Sequence, residues 1–438
     1  MYYRLLLAIF LIFIFSNCRN SFRPVTKASD YEKYMHISSA DSMQSLQRIG
    51  ADINFWCQRL KKNPEDVVAK VSLAGLYSSK FKVGGDINDI HTSDSLYLLA
   101  NPLFKTNSSS LYRSLAANCV TQHKFRQAQL YLDTALTMGD DLYVTLLMRC
   151  DVAMELGNLS IAEQSLNRIK DKHNFDYLIR EAKLLDHKGD LPAAIKKMEA
   201  AAQRAIESKK DVLILWAKSN LADMYGHDNR YKESYQCYLD VLKIKPDYLY
   251  ALKGIAWLAF SHDKNSTEAK RILNYLSKLH PIPDYDLLLA KIAAYENDKP
   301  TEEKLLNRFT TAVADNRYGD MYNKYVFNLM IDKYKNPSKA LQIAEREVHN
   351  RPTSQSYDLL AWAYYNLNKK KEAYKIAKGY VENHNYEPDA FYHLGAIYAG
   401  EGNIKKAKHF MREAKNSAFE LGPDLAAKIN NELKIIEN

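Results

Sequence analysis

The chain has 438 residues, too many for one compact core, which leaves either a few globular domains or one elongated array of repeats. Hydrophobic residues at 47% and charged residues at 26% are ordinary for a folded chain in water, and 15 Gly with 12 Pro exclude a low-complexity composition. The net charge of +9 is spread without a block of like charges, and no zinc, helix-turn-helix or RNA-binding signature accompanies it, so nucleic acid is not an expected partner.

Residues 1–18, MYYRLLLAIFLIFIFSNC, hold one basic residue, Arg4, then an apolar run from Leu5 to Phe15 and a cysteine. A bilayer-spanning helix takes roughly 20 apolar residues, so this shorter run suits the core of an export signal. The ending FSNC resembles the lipobox of bacterial lipoproteins, which implies cleavage and a lipidated Cys18. A plain signal peptide or signal anchor with an incidental cysteine is the alternative reading. Lipidation implies that the acyl chains are the only membrane contact and that all later residues stay in water. Residues 19–38, polar and aperiodic, read as a flexible tether. Arg19, with no acidic run after Cys18, points to the periplasmic side of the cell envelope, with the outer membrane favoured.

The segment 39–105 reads as an N-terminal cap and an irregular first repeat. Its cap is the helix SSADSMQSLQRIGADINFWCQRLKKNP, with Ile53, Trp56 and Leu60 on one face. After Leu73, Ala74 and Tyr77, the stretch KFKVGGDINDIHTSD reads as an inserted, solvated loop. Asp86, Asn88, Asp89, His91 and Asp94 are oxygen or nitrogen donors there, but the order required of an EF-hand is missing, so no metal is expected. Cys57, Cys119, Cys150 and Cys237 have no metal-binding spacing; Cys119 and Cys150 fall on faces expected to be buried, and no structural disulfide is expected.

From 106 to 438 a pattern recurs. Phe391, Leu394, Gly395, Tyr398, Ala407, Met411 and Ala414 occupy the same slots as Tyr357, Leu360, Ala361, Tyr364, Ala373, Ala377 and Tyr380, 34 residues earlier. Leu221, Ala222, Tyr225, Ser234, Tyr238 and Val241 repeat it, as do Ile255, Ala256, Ala259, Ala269, Leu273 and Leu276. Small residues at two fixed slots allow two helix axes to approach closely, while larger apolar residues form a stripe at helical spacing. Pro246, Pro281, Pro352, Pro388 and Pro423 fall between units, and Gly157, Gly189 and Gly402 in turns within them. The stretch from Ala194 to Leu221 carries about six extra residues, expected as longer helices, and DLAAKINNELKIIEN reads as a C-terminal capping helix.

The pattern resembles the tetratricopeptide repeat, which implies an all-α, right-handed α-solenoid of about nine or ten helical hairpins. DLLAWAYY at 358–365 and YHLG at 392–395 further resemble a group of bacterial tetratricopeptide proteins with D-x-L-A-W-A-x-Y and Y-H-x-G late repeats, and no reaction is implied by that likeness.

No P-loop, GxSxG, HExxH or dinucleotide fingerprint is present, so neither catalysis nor a cofactor is expected. Surface remains. In the resembled family the first helix of each pair lines the concave groove. The groove slots here hold Trp216, Tyr250, Trp257, Phe260, Tyr322, Tyr325, Trp362, Tyr365 and Tyr392. Stiff aromatic side chains are good anchors for a protein or extended peptide, though a tightly wound coil also fills its interior with them. The expectation is a non-catalytic interaction scaffold or assembly subunit; the alternative is a glycan-binding envelope lipoprotein that stacks sugars on the same rings. Lys253 matches one slot of the family's carboxylate clamp, but Trp257 stands where the clamp asparagine would be.

Overall fold

A computed structural model describes residues 23–36, 39–103 and 108–437. Cys18 and the export signal lie outside the described residues. The described residues contain helices and no strands. After α1 (Ala28–Tyr31) and the long α2 (Ser39–Lys62) come ten antiparallel hairpins, here repeats 1 to 10. They are α3/α4 (Val67–Gly84, Ile87–Ala100), α5/α6 (Ser109–Thr121, Phe125–Met138), α7/α8 (Leu142–Glu155, Leu159–Asn167), α9/α10 (Phe175–His187, Leu191–Ser208) and α11/α12 (Asp211–His227, Tyr231–Ile244). Then follow α13/α14 (Leu249–Trp257, Ser266–Leu279), α15/α16 (Pro283–Tyr295, Lys299–Val313), α17/α18 (Asn323–Asp332, Pro337–Asn350), α19/α20 (Ser354–Asn366, Lys370–Ile376) and α21/α22 (Pro388–Gly400, Ile404–Asn416). A short α23 (Ala418–Leu421) and the capping α24 (Pro423–Glu437) complete the chain. The α-solenoid and the number of hairpins agree with the sequence reading. No described helix is long and apolar enough to cross a membrane.

Nine of the ten hairpins, repeats 2 to 10, turn in the same way. The residue that ends the first helix takes a left-handed backbone at His123, Gly157, Gly189, Asn229, Lys264, Asn297, Lys335, Asn368 and Gly402. The next residue caps the second helix, and where it is Asn or Asp its side chain accepts the N–H three residues on, as at Asn158, Asp190, Asn265, Asp298, Asn336 and Asn403. The small slots between paired helices are closed to solvent: Ala116, Ala128, Ala222, Ala269, Ala361, Ala373 and Ala407 are fully buried. At the matching slot of repeat 10, a Cβ on Gly395 would lie 2.7 Å from Met411.

Two expectations are corrected. The inserted loop over 80–94 does not exist: α3 runs on to Gly84, Gly85 turns the chain with φ 74°, and Asp86 caps α4. The Gly-Gly-Asp run is therefore the turn of an ordinary hairpin, and Asp89 is buried in an ion pair with Lys80 at 2.8 Å. The flexible tether over 19–38 is, for residues 23–36, a docked strap. Asp263 accepts the N–H groups of Val25 and Thr26 at 2.9 Å each and the Thr26 hydroxyl at 2.6 Å. Tyr31 is fully buried against repeats 5 and 6, its hydroxyl donating to Glu268 at 2.5 Å. Aromatic and aliphatic residues inside a polar stretch make the strap adhere, a signal that average polarity hides.

The coil also returns onto itself. Hydrogen bonds join residues 187 to 226 positions apart: His91 to the Arg317 carbonyl, Arg126 to the His349 carbonyl, Arg351 to Glu155, and Asn229 to the Asn416 carbonyl. Gly85 abuts Ile282, Gly157 abuts Pro352 and Gly189 abuts Tyr386 along the same seam. One turn thus takes roughly six 34-residue repeats, and successive turns touch.

Close approach makes a direct prediction. A Cβ on Gly254 would lie 2.2 Å from the Tyr238 ring, whereas one on Gly50 meets nothing within 4 Å. Gly254→Ala should lower stability by about 1–3 kcal/mol despite its better helix propensity, and Gly50→Ala should raise it by about 0.5–1 kcal/mol. Thermal unfolding of both variants checks this.

Candidate functional site

The first helices of the pairs face the interior of the coil, as the groove slots require. Across α11, α13, α15 and α17 they enclose a cavity of about 330 Å³, lined among others by Asp223, Tyr250, Lys253, Trp257, Asp284 and Tyr322. Tyr325 lies on its edge, and Tyr250 and Tyr325 are the most exposed of the expected anchors lining it, each 42% open. Near Trp257 the helix widens into a turn of i→i+5 bonds over residues 258–262, a feature common at functional sites. It seats Phe260 deep in the wall, where its ring meets Trp257 edge-on at 5.8 Å and Tyr295 at 5.6 Å.

The phenols are held by carboxylates. Asp223 accepts from Tyr238 and from Tyr250, the latter at 2.5 Å, and Asp284 accepts from Tyr322 at 2.7 Å. Burial and the facing Asp223 push the Tyr250 phenol above its ordinary pKa; burial and Asp284 do the same for Tyr322. These rings are therefore neutral donors fixed in place. Lysines lie against two of them: Lys253 is 4.8 Å from the Tyr250 centroid and Lys291 5.6 Å from that of Trp257. Lys291 touches solvent yet sits inside the coil, and the surrounding protein pushes its ammonium pKa down.

One wall comes from the far end of the chain. The Phe419 ring reaches into the cavity, 6.5 Å from Trp257 and 5.0 Å from Tyr231, while Ser261 donates to the Phe419 carbonyl at 2.5 Å. A Cβ on Gly226 would lie 2.7 Å from that ring, so glycine is what lets it in. Beside it, Glu420 is 3.8 Å from His227. Sequence reasoning missed Phe419 and Glu420, which lie beyond the last hairpin, and Asp223 and Asp284, which occupy groove slots 34 residues from Trp257 and Tyr250 but are not aromatic. A Gly at 226, where neighbouring repeats place larger residues, was the available hint.

The expected anchors separate into groups. Tyr250, Trp257, Phe260, Tyr322 and Tyr325 meet in the cavity. Trp216 stands apart, 39% exposed and edge-on to Phe175 at 5.9 Å. Trp362, Tyr365 and Tyr392 form a second cluster in repeats 9 and 10. The Trp362 ring is sandwiched between Tyr365 at 5.1 Å and His393 at 4.2 Å, both nearly parallel to it. Asp358 hydrogen-bonds His393 at 2.9 Å, and Tyr392 is buried with its hydroxyl on Glu432. The Asp and Trp of D-x-L-A-W and the His of Y-H-x-G are thus one buried clasp between successive repeats. No face of Trp362 is left for a sugar or a peptide. Here the packing alternative describes Trp362 and Tyr392, and it describes Phe260 in the cavity wall.

Cys119 and Cys150 are buried as expected, and burial pushes both thiols up to about 12. All four described cysteines are free. Among the described residues no three His, Cys, Asp or Glu side chains group as a metal site.

The tetratricopeptide repeat family model matches residues 217–248 and 388–420, which are parts of repeats 5 and 10. No curated protein sequence matches the chain. Among solved structures, yeast Tom70 aligns at 13% identity over 94% of this chain and 96% of its own, with a TM-score of 0.37. A tetratricopeptide repeat protein from Parabacteroides merdae aligns at 15% identity over 68% of this chain and 99% of its own, with a TM-score of 0.34. The Cut9–Hcn1 structure aligns at 12% identity over 93% and 96%, with a TM-score of 0.35.

Two predictions test this geometry. Trp362→Ala should cost about 3–5 kcal/mol, the range for emptying an aromatic core site, measured by chemical denaturation. Burial raises the Glu420 carboxyl from its ordinary 4.5 to about 7, so the folded chain holds this proton more tightly than the unfolded chain. Its contribution to stability is fully present below about pH 4.5 and is lost as pH rises through about 7. Glu420→Gln should therefore match wild type near pH 4 and exceed it by about 3 kcal/mol at pH 8, read as a widening gap between thermal midpoints.

Proposed function

We propose that the protein is a non-catalytic assembly scaffold, held by lipid at Cys18 on the periplasmic side of a bacterial cell envelope, that binds a partner through the interior of repeats 5 to 8. Tetratricopeptide repeats generally mediate protein–protein interaction, and this reading gives the array a specific docking point. The observation that carries it is the aromatic cavity in which Tyr250 and Tyr325 remain open to solvent while the rings of repeats 9 and 10 are consumed by packing. Its volume, at the low end for ligand sites, suits one or two apolar side chains of an extended peptide. Phenols fixed by Asp223 and Asp284 lose little freedom when a partner docks, which favours binding. The lipid anchor rests on the FSNC sequence, and anchoring confines the array to a membrane surface where an assembly partner would be met.

The test is crosslinked affinity purification from the native envelope with wild type and a Tyr250→Ala/Tyr325→Ala variant, beside Trp362→Ala. The double variant, still folded by circular dichroism, should lose a partner that wild type retains, with direct affinity for that partner down at least tenfold. Retention of the partner by the double variant would remove the cavity as the docking point.

A further inference from the structure

Residues 23–36 do more than fill space. The strap crosses the second helices of repeats 5 and 6, α12 and α14, which lie outside the cavity-lining first helices. Its attachment is specific: three hydrogen bonds converge on Asp263, which is itself buried and paired with His262 at 2.7 Å. Lys27 bonds the Tyr235 hydroxyl through its backbone, Tyr31 donates to Glu268, and Arg271 holds Glu268 at 2.7 Å. Tyr34 and Met35 are buried beside Tyr31 in the same core cluster as Leu239, Ile272 and Leu276.

This docking decides how far the body can stand from a lipid on Cys18. An undocked chain from Cys18 to the start of α2 at Ser39 could reach about 75 Å. With Val25 fixed on Asp263, seven peptide links remain, and they reach at most about 25 Å. The reach is cut threefold and the point of attachment moves from the end of the coil to its side. Because one turn takes roughly six repeats, the outer faces of repeats 2–3 and 8–9 lie about half a turn from the strap.

We propose that the strap fixes the orientation of the protein on the membrane: the outer face of repeats 5 and 6 lies against the lipid surface, and the outer face of repeat 8 points away from it. The inference rests on the lipid-anchor reading above.

The experiment uses the full-length protein in its own envelope, with a benzophenone amino acid replacing either Lys232 on α12 or Ser338 on α18, both exposed. After irradiation, phospholipid adducts should be at least fivefold more abundant at 232 than at 338. Thr26→Ala/Tyr31→Ala, which alters only the strap, should bring the ratio near one while the protein still sediments with membranes. Equal adducts at both positions in a membrane-bound, otherwise wild-type protein would overturn the orientation and leave the anchor intact. A Cys18→Ala variant that sediments as wild type would overturn the anchor itself, and the orientation with it.

Discussion

The closeness with which paired helices approach one another sets everything that follows in this molecule. Alanine, serine or glycine at most of the small slots removes the side-chain volume that would hold the axes apart, and a left-handed residue at each turn fixes the angle at which the chain comes back. Repeated ten times, one small local rotation becomes a coil whose turns touch after about six repeats. The seam between turns includes side-chain hydrogen bonds to backbone carbonyls, as at Arg126 with His349, and close contacts at glycine turns, as at Gly189 with Tyr386.

Closure changes what the interior can offer. In an open array the aromatics in the groove slots would face solvent; here the chain's own ends take up part of that surface. Phe419 enters the cavity over Gly226, α24 covers Tyr392 through Glu432, and the Asp358–His393–Trp362 clasp locks repeats 9 and 10. What stays open is a short aromatic stretch between repeats 5 and 8, with charged groups such as Lys291 and Glu420 around it whose pKa values are displaced by the surrounding protein. The strap from the N-terminus covers the outer side of the same repeats. The middle of the array is thus where inner cavity, C-terminal wall and N-terminal strap converge.

The repeat and its helices were legible because their cause is local. A small residue beside a stripe of apolar ones, punctuated by Pro and Gly at a steady period, has one economical solution, and the buried alanines occupy the slots where the period puts them. Even the double motif of repeats 9 and 10 was visible, although its meaning was not: Trp362 read as a groove residue until the fold stacked it on His393, which Asp358 holds. The site was half legible. Five of the nine expected anchors meet in one cavity, while the carboxylates that hold them sit in groove slots without being aromatic and the Phe419 that walls them off lies beyond the last hairpin.

The sequence by itself determined the hairpins of repeats 2 to 10, their turns and the direction each helix faces, since these follow from neighbours within about 34 residues. Only the tertiary structure decided which rings remain exposed, that GGDINDIH is a turn and a helix start, and that a polar N-terminal stretch lies docked as a strap. Those outcomes depend on contacts between residues some 160 to 240 positions apart, such as Thr26 with Asp263 or Ser261 with Phe419, and on the curvature summed over the repeats between them. A period shows that the chain coils; where the coil meets itself is a property of the whole.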